Sequence, residues 1–222
     1  MKSIYAFFAC FLIFGCTSTP PRVDTAPTSA YNPVVDKPIE FAPGADYAVV
    51  ETKFGSFVIA LDSKRAPQTV ENFKKLIAQG FYDGTMFHRV IPRFVIQGGD
   101  PLSRDQNRRA EHGTGGPGYT VPAEITLKHV RGAVATARLG DEVNANRESN
   151  GSQFYVCLSD LPSLDQKYTV FGQVVRGLEV ADAIGGQARD AKDNPKTPVE
   201  MKITLQTAEQ ALGVKNPDPK PQ

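Results

Sequence analysis

The chain has 222 residues, enough for one domain of ordinary size with a real core, and its 25 Lys and Arg nearly cancel its 24 Asp and Glu. A formal charge of +1 gives no electrostatic case for nucleic acid or for an anionic membrane surface as partner. Three cysteines are too few for a disulfide framework, and the three histidines, His88, His112 and His129, show no metal-ligand spacing with one another or with Cys157.

In chain order, the opening MKSIYAFFACFLIFGC has a positive start and a short apolar run from Ile4 to Phe14. That run falls short of the roughly 20 apolar residues of a spanning helix and suits a secretory signal over residues 1–15. Its end, Ile13-Phe14-Gly15-Cys16, resembles the bacterial lipobox, in which Cys16 is lipidated and becomes the first mature residue. Residues 16–44 are rich in Pro, Thr, Ser and Ala without hydrophobic periodicity, the composition of a flexible linker. Together they imply a lipid-anchored protein of the bacterial cell envelope, facing the periplasm or sent on to the outer membrane.

The domain is expected over residues 45–207. Residues 47–53 and 56–61 read as an antiparallel pair of strands meeting at Phe54-Gly55. A helix should follow, because Pro67 suits a first turn, Val70, Phe73, Leu76 and Ile77 recur at helical spacing, and Gly80 supplies a stop. Strand-like segments at 87–98, 132–137, 152–158, 169–175 and 199–206 come next, with a short helix at 178–184. Residues 208–222 end in NPDPKPQ and are expected to be a frayed tail. Many strands with two helices and no βαβ alternation point to an antiparallel sheet or barrel.

Enzymatic motifs of the common kinds are missing. The glycine-rich HGTGGPGY at residues 112–119 lacks the Lys-Ser/Thr of a phosphate loop and the G-x-G-x-x-G of a dinucleotide site, and Gly151-Ser152-Gln153 is no nucleophile elbow. Cys157, inside the apolar run from Phe154 to Leu158, reads as a buried thiol. What stands out is polar groups set in apolar strands. Arg89 and Gln97 lie eight apart in FHRVIPRFVIQGGD, an even offset that would put them on one face of an uninterrupted strand, although Pro92-Arg93 invites a bend. Gln153 precedes Phe154 and Tyr155 in the same way. A permanent cation among such residues needs a structural partner or a ligand, because burying it unpaired costs several kcal/mol or more.

FHRVIPRFVIQGGD, GTGGPGY, NGSQFYV and LDQKYTVFGQVVRGLEVAD, in that order, resemble the signatures of the cyclophilins, the barrel-type peptidyl-prolyl isomerases. The resemblance runs from about Tyr47 to Thr207. It implies a mainly β fold, a closed eight-stranded antiparallel β-barrel capped by two α-helices, with a shallow proline-binding groove on its outer face. It implies catalytic roles for Arg89, Phe94 and Gln97, and substrate contacts by His88, Val95, Ala137, Arg138, Gln153, Tyr155, Leu164 and Tyr168. It also implies an enzyme without cofactor or metal, a monomer acting on proline-containing polypeptides; the alternative is a barrel that grips such segments without catalysis.

Several positions depart from the family pattern. Val95 stands where methionine is usual, Arg138 where asparagine is usual and Tyr155 where phenylalanine is usual. Tyr168 falls where many members have histidine, and Arg93 replaces a glycine. The segment from Arg138 to Asn150 is longer than in short members. Ser163 takes the place of the tryptophan of cyclosporin-sensitive members, so weak cyclosporin binding is expected.

Overall fold

A computed structural model describes residues 46–213; the signal, Cys16 and the linker expected at residues 1–44 lie outside the described residues, as does the chain after residue 213. β1 (Tyr47–Thr52) and β2 (Gly55–Leu61) form the expected hairpin. α1 (Pro67–Ala78) buries Val70, Phe73, Leu76 and Ile77, the stripe anticipated from their spacing. Its first turn is capped from far along the chain: the Glu124 carboxylate accepts from the backbone of Gln68 at 3.0 Å and of Thr69 at 2.9 Å, placing negative charge at the helix's positive end.

The stretch read as one strand folds back on itself. β3 (Arg89–Ile91) and β4 (Val95–Gly98) pair antiparallel around Pro92-Arg93, where Arg93 takes a left-handed φ of 58°. Two 3₁₀ turns, Pro101–Arg104 and Gln106–Glu111, lead into the glycine-rich connection. β5 (Ala133–Thr136), β6 (Phe154–Cys157), β7 (Val170–Arg176), α2 (Leu178–Gly185) and β8 (Lys202–Gln206) complete the expected set, with a short 3₁₀ turn at Pro162–Leu164.

All pairings are antiparallel, in the order β3-β4-β6-β5-β7-β2-β1-β8. The expected closed barrel is corrected here: the sheet is an open, curled half-barrel whose edge strands β3 and β8 form no ladder. Among the described residues, backbone bonding across the gap falls on residues preceding each strand, at the bridge between Met86 and Glu200 and bonds such as Phe87 N to Val199 O. β3 is only three residues long before Pro92 ends it, and Pro198, upstream of β8, has no N–H to donate. The first residues of the expected tail form α3 (Ala208–Leu212), held by a capping box between Thr207 and Gln210; the rest of that tail lies outside the described residues.

Period-two alternation sorts the sheet's side chains into two layers. Val90, Ile96, Val134, Phe154 and Val156 face inward and pack with Phe73 of α1 and Ile184 of α2 in the main core. Val95, Ala133, Ala135, Tyr155, Cys157 and Val170 point the other way and form a second apolar layer. β1 is apolar on both faces because α3 covers Tyr47 and Val49 from outside, together with Val58 and Ala60 of β2.

Candidate active site

Strand register builds the site. Arg89 lies opposite Gln97, and Gln97 opposite Tyr155, so three side chains form a row across β3, β4 and β6. Arg89 and Gln97 share a face by cross-strand pairing rather than by lying on one strand. Beside the row is a hollow of about 160 Å³. Its apolar lining comes from Phe94, Val95, Ala137, Tyr155, Leu164 and Tyr168; its polar lining comes from Arg89, Gln97 and Arg138. Thus all the expected site residues except His88 and Gln153 meet in one place.

The Arg89 side chain is 41% exposed, and its only ion pair among the described residues is long, 3.8 Å from Nε to Asp193 Oδ2. Its guanidinium carbon stands 5.9 Å from the centre of the Phe94 ring. The cation is therefore neither buried nor consumed by an acid.

Gln97 makes no hydrogen bond to Arg89. Its Nε2 donates instead to Gln153 Oε1 at 2.9 Å, and Gln153, 3% exposed, donates in turn to the carbonyls of Gly113 at 3.0 Å and Gly115 at 2.8 Å. This gives the glycine-rich connection a purpose. A side chain at Gly115 would collide with Asp100 and Leu102, so only glycine lets that backbone come close enough to hold Gln153. His88 is 4% exposed beneath the same connection, and burial pushes its pKa down to about 4 against the pull of Asp100.

Arg138 is committed to structure. Its guanidinium stacks over Tyr168 at 4.6 Å, binds Asp141 at 2.6 Å and donates to the carbonyls of Lys167 at 2.9 Å and Leu139 at 2.8 Å. Arg147 reinforces this latch, reaching Gln166 O at 2.8 Å and Asp141 at 3.2 Å. The long segment after Ala137 is thereby tied to the 164–168 stretch and forms one wall of the hollow.

Two parts of the site were invisible in the sequence. Asp193 reaches Arg89 from a distant loop, with no local signal in the chain. His129 accepts the Tyr155 hydroxyl at Nε2, 3.0 Å, while Asp165 takes its Nδ1 proton at 3.1 Å. Tyrosine in an apolar pocket needs such a partner, and that requirement was the available clue. Burial lowers the pKa of His129 and raises those of Tyr155 and Cys157, the thiol to about 12, so both stay protonated and the thiol is inert.

A larger hollow of about 320 Å³, lined by Thr126, Leu127, Val130 and Val170 among others, lies apart from Arg89. Its arginine, Arg65, is tied to Asp62 at 2.6 Å. Among the described residues no cluster of His, Cys, Asp and Glu is placed to hold a metal ion.

Residues 47–205 match the family described as "Cyclophilin type peptidyl-prolyl cis-trans isomerase/CLD". A peptidyl-prolyl cis-trans isomerase of Helicobacter pylori is 43% identical over 143 residues, covering 62% of this chain and 79% of the relative. Peptidyl-prolyl cis-trans isomerase ppi1 of Schizosaccharomyces pombe is 38% identical over 152 residues, covering 68% and 93%. Among solved structures, a Cryptosporidium parvum cyclophilin-type isomerase superposes with a TM-score of 0.65 at 30% identity, covering 73% of this chain and 98% of that one. A structure of it in the presence of the dipeptide Ala-Pro gives 0.64.

Proposed function

We propose that this chain, which belongs to the cyclophilin-type peptidyl-prolyl cis-trans isomerase family and is an isomerase of X-Pro bonds, works at the hollow beside Arg89 and on exported polypeptides of the cell envelope. An X-Pro bond turns slowly because its partial double character sets a barrier of about 18–20 kcal/mol. As it twists, the proline nitrogen pyramidalises and regains the lone pair that resonance had spread onto the carbonyl. It becomes a good hydrogen-bond acceptor only midway through rotation, so a donor aimed at it favours the twisted state over both planar ones.

In this reading Arg89 is that donor, always protonated and presenting a fixed fork of N–H groups. Phe94, Val95, Tyr155 and Leu164 hold the proline ring, and Gln97, with its amide carbonyl free of any bond to Arg89, receives the peptide backbone or the guanidinium once substrate is bound. His88 and Gln153 act from behind, supporting the row. No proton is transferred and no cofactor is needed. The observation that carries the assignment is a half-exposed guanidinium over Phe94, lining a hollow with Val95, Tyr155 and Leu164, with one long ion pair among the described residues.

A charge-assisted donor is worth about 1.5–3 kcal/mol, so Arg89→Ala should slow turnover on the order of 10- to 100-fold with the melting temperature nearly unchanged. An isomerisation assay on a proline tetrapeptide checks this; undiminished turnover refutes the role. Action on exported clients is supported by residues 1–16 alone, read as a lipoprotein signal over residues 1–15 followed by Cys16 as the lipidated first mature residue. Mass spectrometry of the membrane fraction should find acyl chains on Cys16, and Cys16→Ser should release the domain from membranes.

A further inference from the structure

Gln97 lies opposite Arg89 in the register, yet its amide nitrogen is spent on Gln153. The group that does face Arg89 is Asp193, from the loop between α2 and β8. Three features show that this residue is held in place. Its backbone carbonyl accepts from Val90 N, the residue next to Arg89, at 2.8 Å. Its φ of 62° lies in the left-handed region that non-glycine residues seldom adopt, and such a conformation persists only where the surroundings enforce it. Its other carboxylate oxygen binds Arg189 at 2.9 Å.

One carboxylate is thus shared unequally between two arginines. Arg189 holds Oδ1 closely and leaves Oδ2 at 3.8 Å from Arg89 Nε. The approach comes from the Nε side, and no hydrogen bond is made by the terminal nitrogens of Arg89 to any described residue. A half-exposed pair of this length adds little to stability, so its use is geometric.

We propose that Asp193 is a positioning residue for the isomerisation. It fixes the plane of the Arg89 guanidinium through Nε, and Arg189 keeps it from closing fully on Arg89, so the terminal N–H groups stay available to the twisting amide. The proposal rests on Arg89 being the donor at this site.

Asp193→Asn tests it, because asparagine keeps the shape, tolerates a left-handed φ and preserves the carbonyl bond to Val90. Turnover of a proline tetrapeptide should fall about fivefold to twentyfold, the loss appearing in kcat, while the peptide Kd moves less than about twofold. The Arg89 Nε–H resonance in the NMR spectrum should shift and exchange faster with water. In Arg189→Met, where Asp193 has Arg89 alone, the same resonance should shift the other way. Unchanged kcat in Asp193→Asn overturns the proposal. So does an unmoved Arg89 signal in both variants, or a rate loss matched by equal losses of peptide affinity and melting temperature, which would mark mere damage to the loop. If instead Arg89→Ala proves fully active, it is the donor assignment that fails, and the NMR shifts still report whether the pairing exists.

Discussion

The Tyr155 hydroxyl would be an unpaired polar group against an apolar hollow if His129 did not face it. The chain of Asp165, His129 and Tyr155 satisfies all three, with the imidazole 2% exposed and stacked 6.1 Å from the phenol. Tyrosine here is therefore tolerated because a second residue supplies an acceptor. Tyr155→Phe should keep turnover, since the ring remains, but lose about 1–2 kcal/mol of stability by leaving His129 Nε2 buried without a donor. Urea denaturation of that variant and of the double variant Tyr155→Phe with His129→Phe checks this: the double variant should recover part of the loss if the penalty is the orphaned nitrogen.

At the scale of elements, connections make the site as much as strands do. The segment after Ala137, latched through Arg138 and Asp141 to Tyr168, supplies a wall, and the glycine-rich connection holds Gln153 from behind. α3 has a different task. Ala211, buried, and Leu212 cover the outer face of β1 and β2 beside Tyr47 and Val49. Ending the chain after Thr207 uncovers this layer and should destabilise the domain by about 1–3 kcal/mol, taking roughly 25 cal/mol per Å² of apolar surface. Turnover at 25 °C should stay close to that of the full chain, because α3 lies against β1 and β8 at the other edge of the sheet from the Arg89 row. Denaturant midpoints and the tetrapeptide assay, run side by side, measure both.

For the whole molecule, acid separates stability from rate. His88 has a folded pKa of about 4 against an ordinary 6.5, chiefly through burial, with His112 and Arg89 adding to the depression and Asp100 opposing it. A histidine depressed in this way binds its proton more readily when the chain is unfolded. Stability is therefore intact above about pH 6.5 and declines as pH falls toward 4, by on the order of 3 kcal/mol if the difference is fully expressed. Turnover should stay flat between about pH 6 and 8, because the reaction transfers no proton and His88 remains neutral there. Melting curves from pH 7 to 4.5 should show the decline, and His88→Gln should flatten it. A bell-shaped rate profile in that window would instead mean that a proton transfer takes part.

Much of this was legible in one dimension because it depends on local chemistry. Pro67, the helical stripe from Val70 to Ile77 and the hairpin at Phe54-Gly55 placed α1, β1 and β2 to within a residue or so. Arg89 and Gln97 stood out as polar residues in apolar strands, while their site roles, and that of Phe94, were implied by the resemblance to the cyclophilins. What could not be read is whatever depends on residues far apart in the chain coming together. Whether the two sheet edges pair is set by curl and register summed over eight strands, so a closed barrel was expected where the sheet is open. α3 escaped notice because five residues show too little periodicity, and only the surface of β1 and β2 gives them somewhere to bury. Arg89 was identifiable as a cation in want of a partner, but only the folded chain, by bringing Asp193 across from the loop before β8, decided which acid faces it and how closely.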